Sequence, residues 1–273
     1  MFADDIKVFS SVSLASDFER LQLSLTNIDA WCKENFMELN VLKCVVISYK
    51  RGAAPVQYDY VLNGSTLKRV DRVRDLGVTM TPSLNPHEHI AHITTKASSL
   101  LGFIFRSTRN FNSPFTLITL YKSLVRPLLE YGSIIWSPFQ KNHVSQLESI
   151  QTRFIRMLGP RLGFTYRTTP VDDVEKSFDL LPLSLRRHHA DIFMLYKLVN
   201  GFVDCPNILS GIDITTPRGT RSRTIFSRRF LPAYYSYNSG ISRLLKAGST
   251  AAAQLDFFGE KPLRFKKKVS LIT

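Results

Sequence analysis

The chain begins Met1-Phe2-Ala3-Asp4-Asp5-Ile6-Lys7-Val8-Phe9, and this stretch guides the interpretation of everything after it. Two adjacent aspartates run into β-branched and aromatic residues, which predicts a tight turn followed by a strand over residues 6–10. Carboxylate oxygens are the ligands that Mg²⁺ takes, and paired carboxylates hold the ions of two-metal phosphoryl transfer. Most adjacent aspartates are ordinary solvated turn residues, so the pair alone leaves both interpretations open.

The residues up to about position 80 predict one amphipathic helix and several short strands. Ser16 and Glu19 have the spacing of a capping box, and a helix to about Asn35 carries apolar residues three and four positions apart. Asn63-Gly64 predicts a two-residue hairpin turn. Strands are predicted over residues 44–49, 57–62, 66–70 and 75–80.

The remainder of the chain is predominantly helical in pattern. Pro127 predicts a kink in the second helix of this part, and three further prolines predict an irregular linker over residues 159–183. A short helix is predicted at residues 241–245, and Lys266-Lys267-Lys268 reads as a basic tail. Longer helices are predicted over residues 87–107, 114–131, 144–158 and 183–200. The expected fold class is therefore α+β, mostly α.

Composition and charge favour a polyanionic partner. The net charge is +14, and residues 142–273 hold 20 basic and 10 acidic side chains against 16 and 12 in residues 1–141. Basic chains bind nucleic acids through counterion release, although a solvated basic surface is the plainer alternative. Three widely separated cysteines indicate a reducing, intracellular setting. No segment has the pattern of a signal peptide or a membrane-spanning helix.

Several blocks of sequence occur in the order found in one known family. Together they resemble the reverse transcriptases of non-LTR retrotransposons, of the Jockey-like sort, and the ordered match covers residues 1 to about 158. The blocks are Phe2-Ala3-Asp4-Asp5, Leu39-Asn40-Val41-Leu42-Lys43-Cys44, Tyr60-Val61-Leu62-Asn63-Gly64, Asp75-Leu76-Gly77-Val78, Leu120-Tyr121-Lys122-Ser123-Leu124-Val125-Arg126-Pro127, Leu129-Glu130-Tyr131-Gly132 and Ile135-Trp136.

The resemblance implies a division of the chain and an activity. Residues 1–82 would form a partial palm with the primer-grip hairpin, residues 83–160 a helical thumb, and residues 161–273 a linker, a helix and a basic C-terminal extension. The family synthesises DNA from dNTPs on an RNA template, using a DNA primer or target and two Mg²⁺ ions, inside the cell in nuclear or cytoplasmic ribonucleoproteins.

The resemblance also implies that part of the family's active site lies in a palm and fingers segment missing from this sequence. That segment supplies a further catalytic aspartate, so the expectation is a truncated enzyme that binds Mg²⁺ weakly and is inactive alone. The alternative is a non-enzymatic, basic RNA- or DNA-binding remnant. Genomic sequence upstream of Met1 would separate these interpretations.

The resemblance assigns site residues by position. Asp4 would be a catalytic metal ligand and Asp5 its supporting carboxylate. Lys43 would be a general acid that protonates the leaving pyrophosphate, with an exposed loop lysine as the plainer alternative. Leu76 and Gly77 would be primer-grip backbone, since glycine permits close approach.

Basic side chains supply the candidate nucleic-acid contacts. Arginine matches phosphate through its planar fork, and the arginine-rich segment has aromatic residues nearby that can stack on bases. Solvated helix faces and an irregular loop are the alternatives. The candidates are Arg106, Arg109, Lys122, Arg126, Arg153, Arg156, Arg218, Arg221, Arg223, Arg228 and Arg229.

Overall fold

A computed structural model describes residues 5–50, 57–215, 225–227 and 233–272. The chain divides into two compact units, residues 1–88 and residues 89–273. The described part is mostly helical with a few short two-stranded sheets, which confirms the predicted α+β, mostly α class. The division into palm, thumb and extension stays a prediction.

The first unit consists of one long helix and short strands. The elements are α1 (Ala15–Glu34), β1 (Val45–Val46), β2 (Val61–Leu62), β3 (Ser65–Thr66), β4 (Lys68–Arg69), β5 (Val73–Asp75) and β6 (Val78–Met80). Helix α1 is followed by a 3₁₀ turn at Val41–Lys43. Strand β1 pairs with β4 in parallel, and β2 with β3 and β5 with β6 form antiparallel hairpins.

Helix α1 lies against the β2–β3 hairpin through its apolar face. Phe18 stacks on Tyr58 with ring centroids 5.4 Å apart, and Cys32 is fully buried. The Gln22 side chain donates to the carbonyl oxygen of Val61 at 2.8 Å and accepts from its N–H at 2.9 Å. One amide side chain thus satisfies both polar groups of a strand residue.

Three local predictions for this unit need correction. The helix is capped two residues earlier than predicted, because the Asp17 carboxylate accepts from the N–H groups of Ser13 and Leu14, each at 2.9 Å. Residues 6–10 form no strand, since no described strand pairs with them and an unpaired strand leaves its backbone bonds unmade. The strand predicted over residues 75–80 is a hairpin that turns at Leu76-Gly77.

The second unit is a set of packed helices. Short segments accompany them: a π-helical turn at Tyr121–Val125, a 3₁₀ turn at Gly159–Leu162 and an antiparallel pair of strands. The elements are α2 (His87–Ser107, which starts at the end of the first unit), α3 (Pro114–Leu120), α4 (Arg126–Glu130), α5 (Ser133–Trp136), α6 (Lys141–Leu158), α7 (Val171–Ser177), α8 (Leu183–Val199), α9 (Pro206–Leu209), β7 (Asp213–Ile214), β8 (Phe226–Ser227), α10 (Tyr234–Tyr237), α11 (Gly240–Ala251) and α12 (Pro262–Val269).

Sequence periodicity located the main helices of this unit correctly. The helix predicted to kink at Pro127 changes from α to π geometry over Tyr121–Val125, since proline lacks the N–H for the bond to residue 123. Tyr121 lies in that turn, stacks on Phe154 at 4.2 Å and donates to Gln151 Oε1 at 2.9 Å.

Two predictions for the later part of the chain were wrong. Residues 159–183 are not irregular throughout, because they include the 3₁₀ turn and α7, and Thr169 is buried against Gly159. Lys266-Lys267-Lys268 belong to helix α12, which Phe265 and Val269 anchor in the core formed with α8 and α11. Amphipathic spacing of only two apolar residues over one short helix is a weak signal, which explains the misreading.

Gly248 lets α11 approach α8 closely, and this predicts an unusual cost for alanine. A Cβ there would lie 2.2 Å from Leu195 Cδ2 and 2.9 Å from Phe226 Cδ2, both in buried side chains. Gly248→Ala is expected to lower the free energy of unfolding by about 1–3 kcal/mol, because overpacking outweighs the better helix propensity.

Gly102→Ala is the matched control for that substitution in thermal or urea unfolding. Gly102 lies inside α2, and a Cβ there would meet only the end of the exposed Arg106 side chain, at 3.1 Å. The control should be neutral or more stable by up to about 1 kcal/mol. Equal effects of the two substitutions would contradict the packing argument.

Candidate nucleic-acid interface and carboxylate turn

Only one residue of the Asp4–Asp5 pair lies within the described residues. Asp4 lies outside the described residues, whereas Asp5 is exposed. Within the described ranges no three His, Cys, Asp or Glu side chains are grouped to hold a metal ion. The carboxylate of Asp5 is a suitable Mg²⁺ ligand, yet the described donors do not by themselves make a two-ion site, so no catalytic step is assigned to a metal here.

An ion pair connects the residues after this pair with the predicted primer grip. The Lys7 ammonium donates to the Asp75 carboxylate, which belongs to the last residue of β5. Tyr49 lies beside them, and burial, followed by the Asp75 charge, raises the pKa of its phenol. Lys7 is two residues from Asp5, and Asp75 directly precedes Leu76-Gly77, so the ion pair brings the two predicted sites together.

The turn at Leu76-Gly77 has strained geometry. Both central residues have positive φ, +44° for Leu76 and +86° for Gly77. The Asn63-Gly64 turn has the same form, with φ of +48° and +74°, but there asparagine tolerates the left-handed region. A leucine held in this region costs on the order of 1–3 kcal/mol, and such strain concentrates at functional sites.

Lys43 ends the 3₁₀ turn with its side chain exposed to solvent. Its backbone N–H donates to both oxygens of Asn40, at 3.0 Å to the carbonyl and 3.3 Å to the side chain. Cys44 is half-buried, and burial raises the pKa of its thiol, which fits a packing role. The general-acid role of Lys43 stays a prediction.

The predicted nucleic-acid contacts of the second unit fall into two groups. Arg106, Arg109, Arg153 and Arg156 are exposed. Lys122 instead donates to the carbonyl oxygen of Phe178 at 3.1 Å. Arg126 lies 3.8 Å from Glu130, which also accepts from Arg186, and burial followed by the Arg186 charge lowers the pKa of Arg126. These contacts hold both cations against the protein.

Arg153 and Arg156 line a groove of about 530 Å³ along α6. Tyr166 joins them from the following loop, and its side chain is half exposed. The other lining residues are Val144, Ser145, Glu148, Ser149 and Thr152. The groove thus combines two guanidinium groups, an aromatic ring and three hydroxyl groups, which suits a phosphodiester backbone with an unpaired base.

The acidic side chain in this groove is already paired. Glu148 accepts from the N–H groups of Leu183 at 3.0 Å and Ser184 at 2.6 Å, at the start of α8. The buried Arg187 lies 3.7 Å from the same carboxylate. Because the helix N-terminus and an arginine compensate this charge, the groove remains favourable to an anion.

The remaining candidates lie outside the described residues. Five arginines that the sequence analysis singled out belong to this group: Arg218, Arg221, Arg223, Arg228 and Arg229. Sequence reasoning assigned no individual role to Lys7, Asp75, Tyr49 or Tyr166. A lysine two residues after an aspartate pair and a tyrosine in a loop carry no local signal, because their contacts come from residues distant in sequence.

Comparison with known proteins places the chain beside the polymerases of mobile elements. No family model and no solved structure matches it. It is, however, similar to RNA-directed DNA polymerases of non-LTR retrotransposons, which confirms the resemblance carried by its motifs.

Three relatives from Drosophila melanogaster show this similarity. The RNA-directed DNA polymerase from mobile element jockey is 26% identical over 164 residues, covering 58% of this chain and 17% of that protein. The probable RNA-directed DNA polymerase from transposon BS is 26% identical over 203 residues, 69% of this chain and 22% of the relative. The corresponding X-element protein is 23% identical over 195 residues, covering 69% and 21%. The chain spans about a fifth of the length of these relatives.

Proposed function

We propose that this chain contributes the primer-end turn and a primer–template groove of a non-LTR retrotransposon reverse transcriptase. In this proposal Asp4 and Asp5 supply carboxylates for Mg²⁺, and Leu76-Gly77 contact the primer end. The RNA template, DNA primer and dNTPs are the partners by similarity to polymerases of mobile elements. No helix in the described ranges is both long and apolar enough to cross a membrane.

The observation that carries the proposal is the α6 groove. Two arginines chosen from the sequence as phosphate contacts, Arg153 and Arg156, are exposed and share one groove with Tyr166. Their only acidic neighbour among the lining residues, Glu148, is compensated by the start of α8. The ion pair between Lys7 and Asp75 supports the primer-end part, because it ties the carboxylate segment to the turn.

Arg153→Gln/Arg156→Gln is expected to weaken binding of the protein to an RNA template with an annealed, recessed DNA primer. Affinity falls with salt, and each lost phosphate contact makes the fall of log affinity with log salt shallower by about 0.7–0.9. The double substitution should therefore reduce the magnitude of this slope by about 1.4–1.8. Fluorescence anisotropy across a salt series measures this slope.

Lys96→Gln/Lys141→Gln is the matched control for the groove variant. Both lysines are exposed on helices of the same unit and neither lines the groove, so the variant removes equal charge without changing a lining residue. The control variant should keep a slope of log affinity against log salt close to that of the unmodified protein. A flat salt response of the unmodified protein, or displacement of the primer–template by heparin as readily as by unlabelled primer–template, would contradict the proposed function.

A further inference from the structure

A second basic surface, separate in sequence from the α6 groove, runs along α12 and one turn of α8. We call Lys197, Arg264, Lys266 and Lys267 the basic ridge. All but the half-buried Lys197 are exposed. From the structure we infer that the basic ridge binds the phosphate backbone of a nucleic acid without reading its sequence, an inference that rests on the proposed function and extends it.

The first observation is that α12 presents its cations from a fixed platform. Phe265 and Val269 are buried, and Phe265 stacks on Tyr196 of α8 with centroids 4.0 Å apart. At 100° per residue, Lys267 lies opposite Phe265, with Arg264 and Lys266 on either side. His189 Nε2 lies 2.9 Å from the carbonyl oxygen of Ile272, so the chain beyond α12 is also held to α8.

The second observation is that two cations converge on one ring. The Lys197 ammonium lies 4.9 Å from the centroid of Phe193, and the Lys266 ammonium lies 5.9 Å from the same centroid. The ring attracts each cation and so holds the two like charges near one another. An anion that reaches both ammonium groups reduces the repulsion between them, and a phosphate group has the charge to do so.

The third observation is that the cations of the basic ridge have no carboxylate partner. Within the described ranges no ion pair includes Lys197, Arg264, Lys266 or Lys267. The helix dipole favours Lys197, Lys266 and Lys267, which lie in the last turns of α8 and α12. It disfavours Arg264, which lies in the first turn of α12. A bound polyanion supplies the carboxylate-like compensation that the described residues do not provide.

The test replaces Lys266 and Lys267 with glutamine in the full chain, which removes charge and keeps a good helix former. Binding to a short labelled single-stranded RNA, and to DNA of the same sequence, is measured by anisotropy across a salt series. The magnitude of the slope of log affinity against log salt should decrease by about 1.4, the value for two contacts to a single strand.

Two variants of equal size serve as controls. Lys96→Gln/Lys141→Gln removes the same charge elsewhere and should keep the slope. Lys266→Arg/Lys267→Arg retains the charge and should also keep it. The inference is wrong if the glutamine variant keeps its salt slope, or if its slope decreases no more than that of the control at residues 96 and 141.

Two further readouts separate this inference from its alternatives. If the glutamine variant loses binding to vesicles of anionic phospholipid while its nucleic-acid slope is unchanged, the ridge is a lipid surface and the inference is wrong. If the salt slope decreases in the variant of Arg153 and Arg156 but not in the ridge variant, the inference about the ridge is wrong and the proposed function stands. If the slope decreases in neither variant, both the inference and the proposed function are wrong. Equal losses on RNA and DNA identify the shared phosphate backbone, whereas a loss on one alone identifies that nucleic acid.

Discussion

Arg243→Ala is expected to lower the free energy of unfolding of the second unit by about 3–5 kcal/mol, because it leaves a buried carboxylate unpaired. Asp191 on α8 is 2% exposed. Arg243 on α11 donates from Nε to Asp191 Oδ2 at 2.7 Å and from Nη2 to Oδ1 at 3.4 Å. No other contact in the described residues ties α8 and α11 through full charges.

The same arginine also closes the end of a short helix. Its Nη2 donates to the carbonyl oxygen of Ile134 in α5, and its Nη1 donates to that of Ser137 at 3.3 Å. The last carbonyl groups of a helix have no partner within the helix, so removing Arg243 leaves them unsatisfied as well. One side chain therefore joins α5, α8 and α11, and its removal should weaken the packing of all three helices.

The destabilisation caused by Arg243→Ala should be larger at neutral pH than at acidic pH. Burial raises the pKa of the Asp191 carboxyl above its ordinary value, although Arg243 opposes this. Removing Arg243 raises that pKa further. The folded state then binds the proton more tightly than the unfolded state, so stability is greatest at low pH and falls as pH rises through the folded pKa. The deficit of the variant should therefore be larger at pH 7 than near pH 4.

Urea unfolding at several pH values, followed by circular dichroism, measures both effects. Replacing the pair together, as Asp191→Leu/Arg243→Met, should recover much of the lost stability, since neither charge of the pair is then left without its partner. Asp191→Asn in the Arg243→Ala background should remove the pH dependence. A deficit that is small or independent of pH would show that the carboxylate is not buried as described.

Phe265→Ala should lower the free energy of unfolding by about 3–5 kcal/mol, the usual cost of removing a buried phenyl ring. Phe265 is fully buried, stacks on Tyr196, and meets Phe257 edge-on with centroids 5.1 Å apart. The variant should also lose the salt dependence assigned to the basic ridge, because α12 would no longer be held on α8.

Leu263→Ala is the matched control in the same helix. Leu263 is 85% exposed, so its truncation should change stability by less than about 0.5 kcal/mol. Thermal unfolding and the anisotropy salt series on both variants test the two effects together. If Phe265→Ala proved as mild as Leu263→Ala, α12 would not be packed in the core.

Local chemistry made some elements predictable. The Asn63-Gly64 hairpin was expected because both residues accept positive φ, and both adopt it. The face of α6 was expected from spacing, and Leu147, Ile150 and Phe154 are buried while Arg153 and Arg156 are exposed. In each case the information lies within a few residues of the element.

Non-local contacts account for the predictions that failed. The run Ile6-Lys7-Val8-Phe9 has strand composition, but a strand exists only when another strand pairs with it, and no described strand does. The Leu76-Gly77 turn was taken for a strand interior because leucine seldom adopts positive φ. Lys266-Lys267-Lys268 was taken for a tail because its anchor is a cluster of aromatic residues far away in sequence.

The sequence by itself determined the family resemblance, the mostly helical class and the identity of the basic side chains. Motif order, helical period and charge are all properties of the linear chain. Only the tertiary structure decided which cations are available to a ligand. Lys122 and Arg126 are held by Phe178 and Glu130, whereas Arg153, Arg156 and three of the four cations of the basic ridge are exposed to solvent. The reason is physical: burial and pairing of a charge depend on groups that folding brings near it, and the chain keeps those groups far apart in sequence.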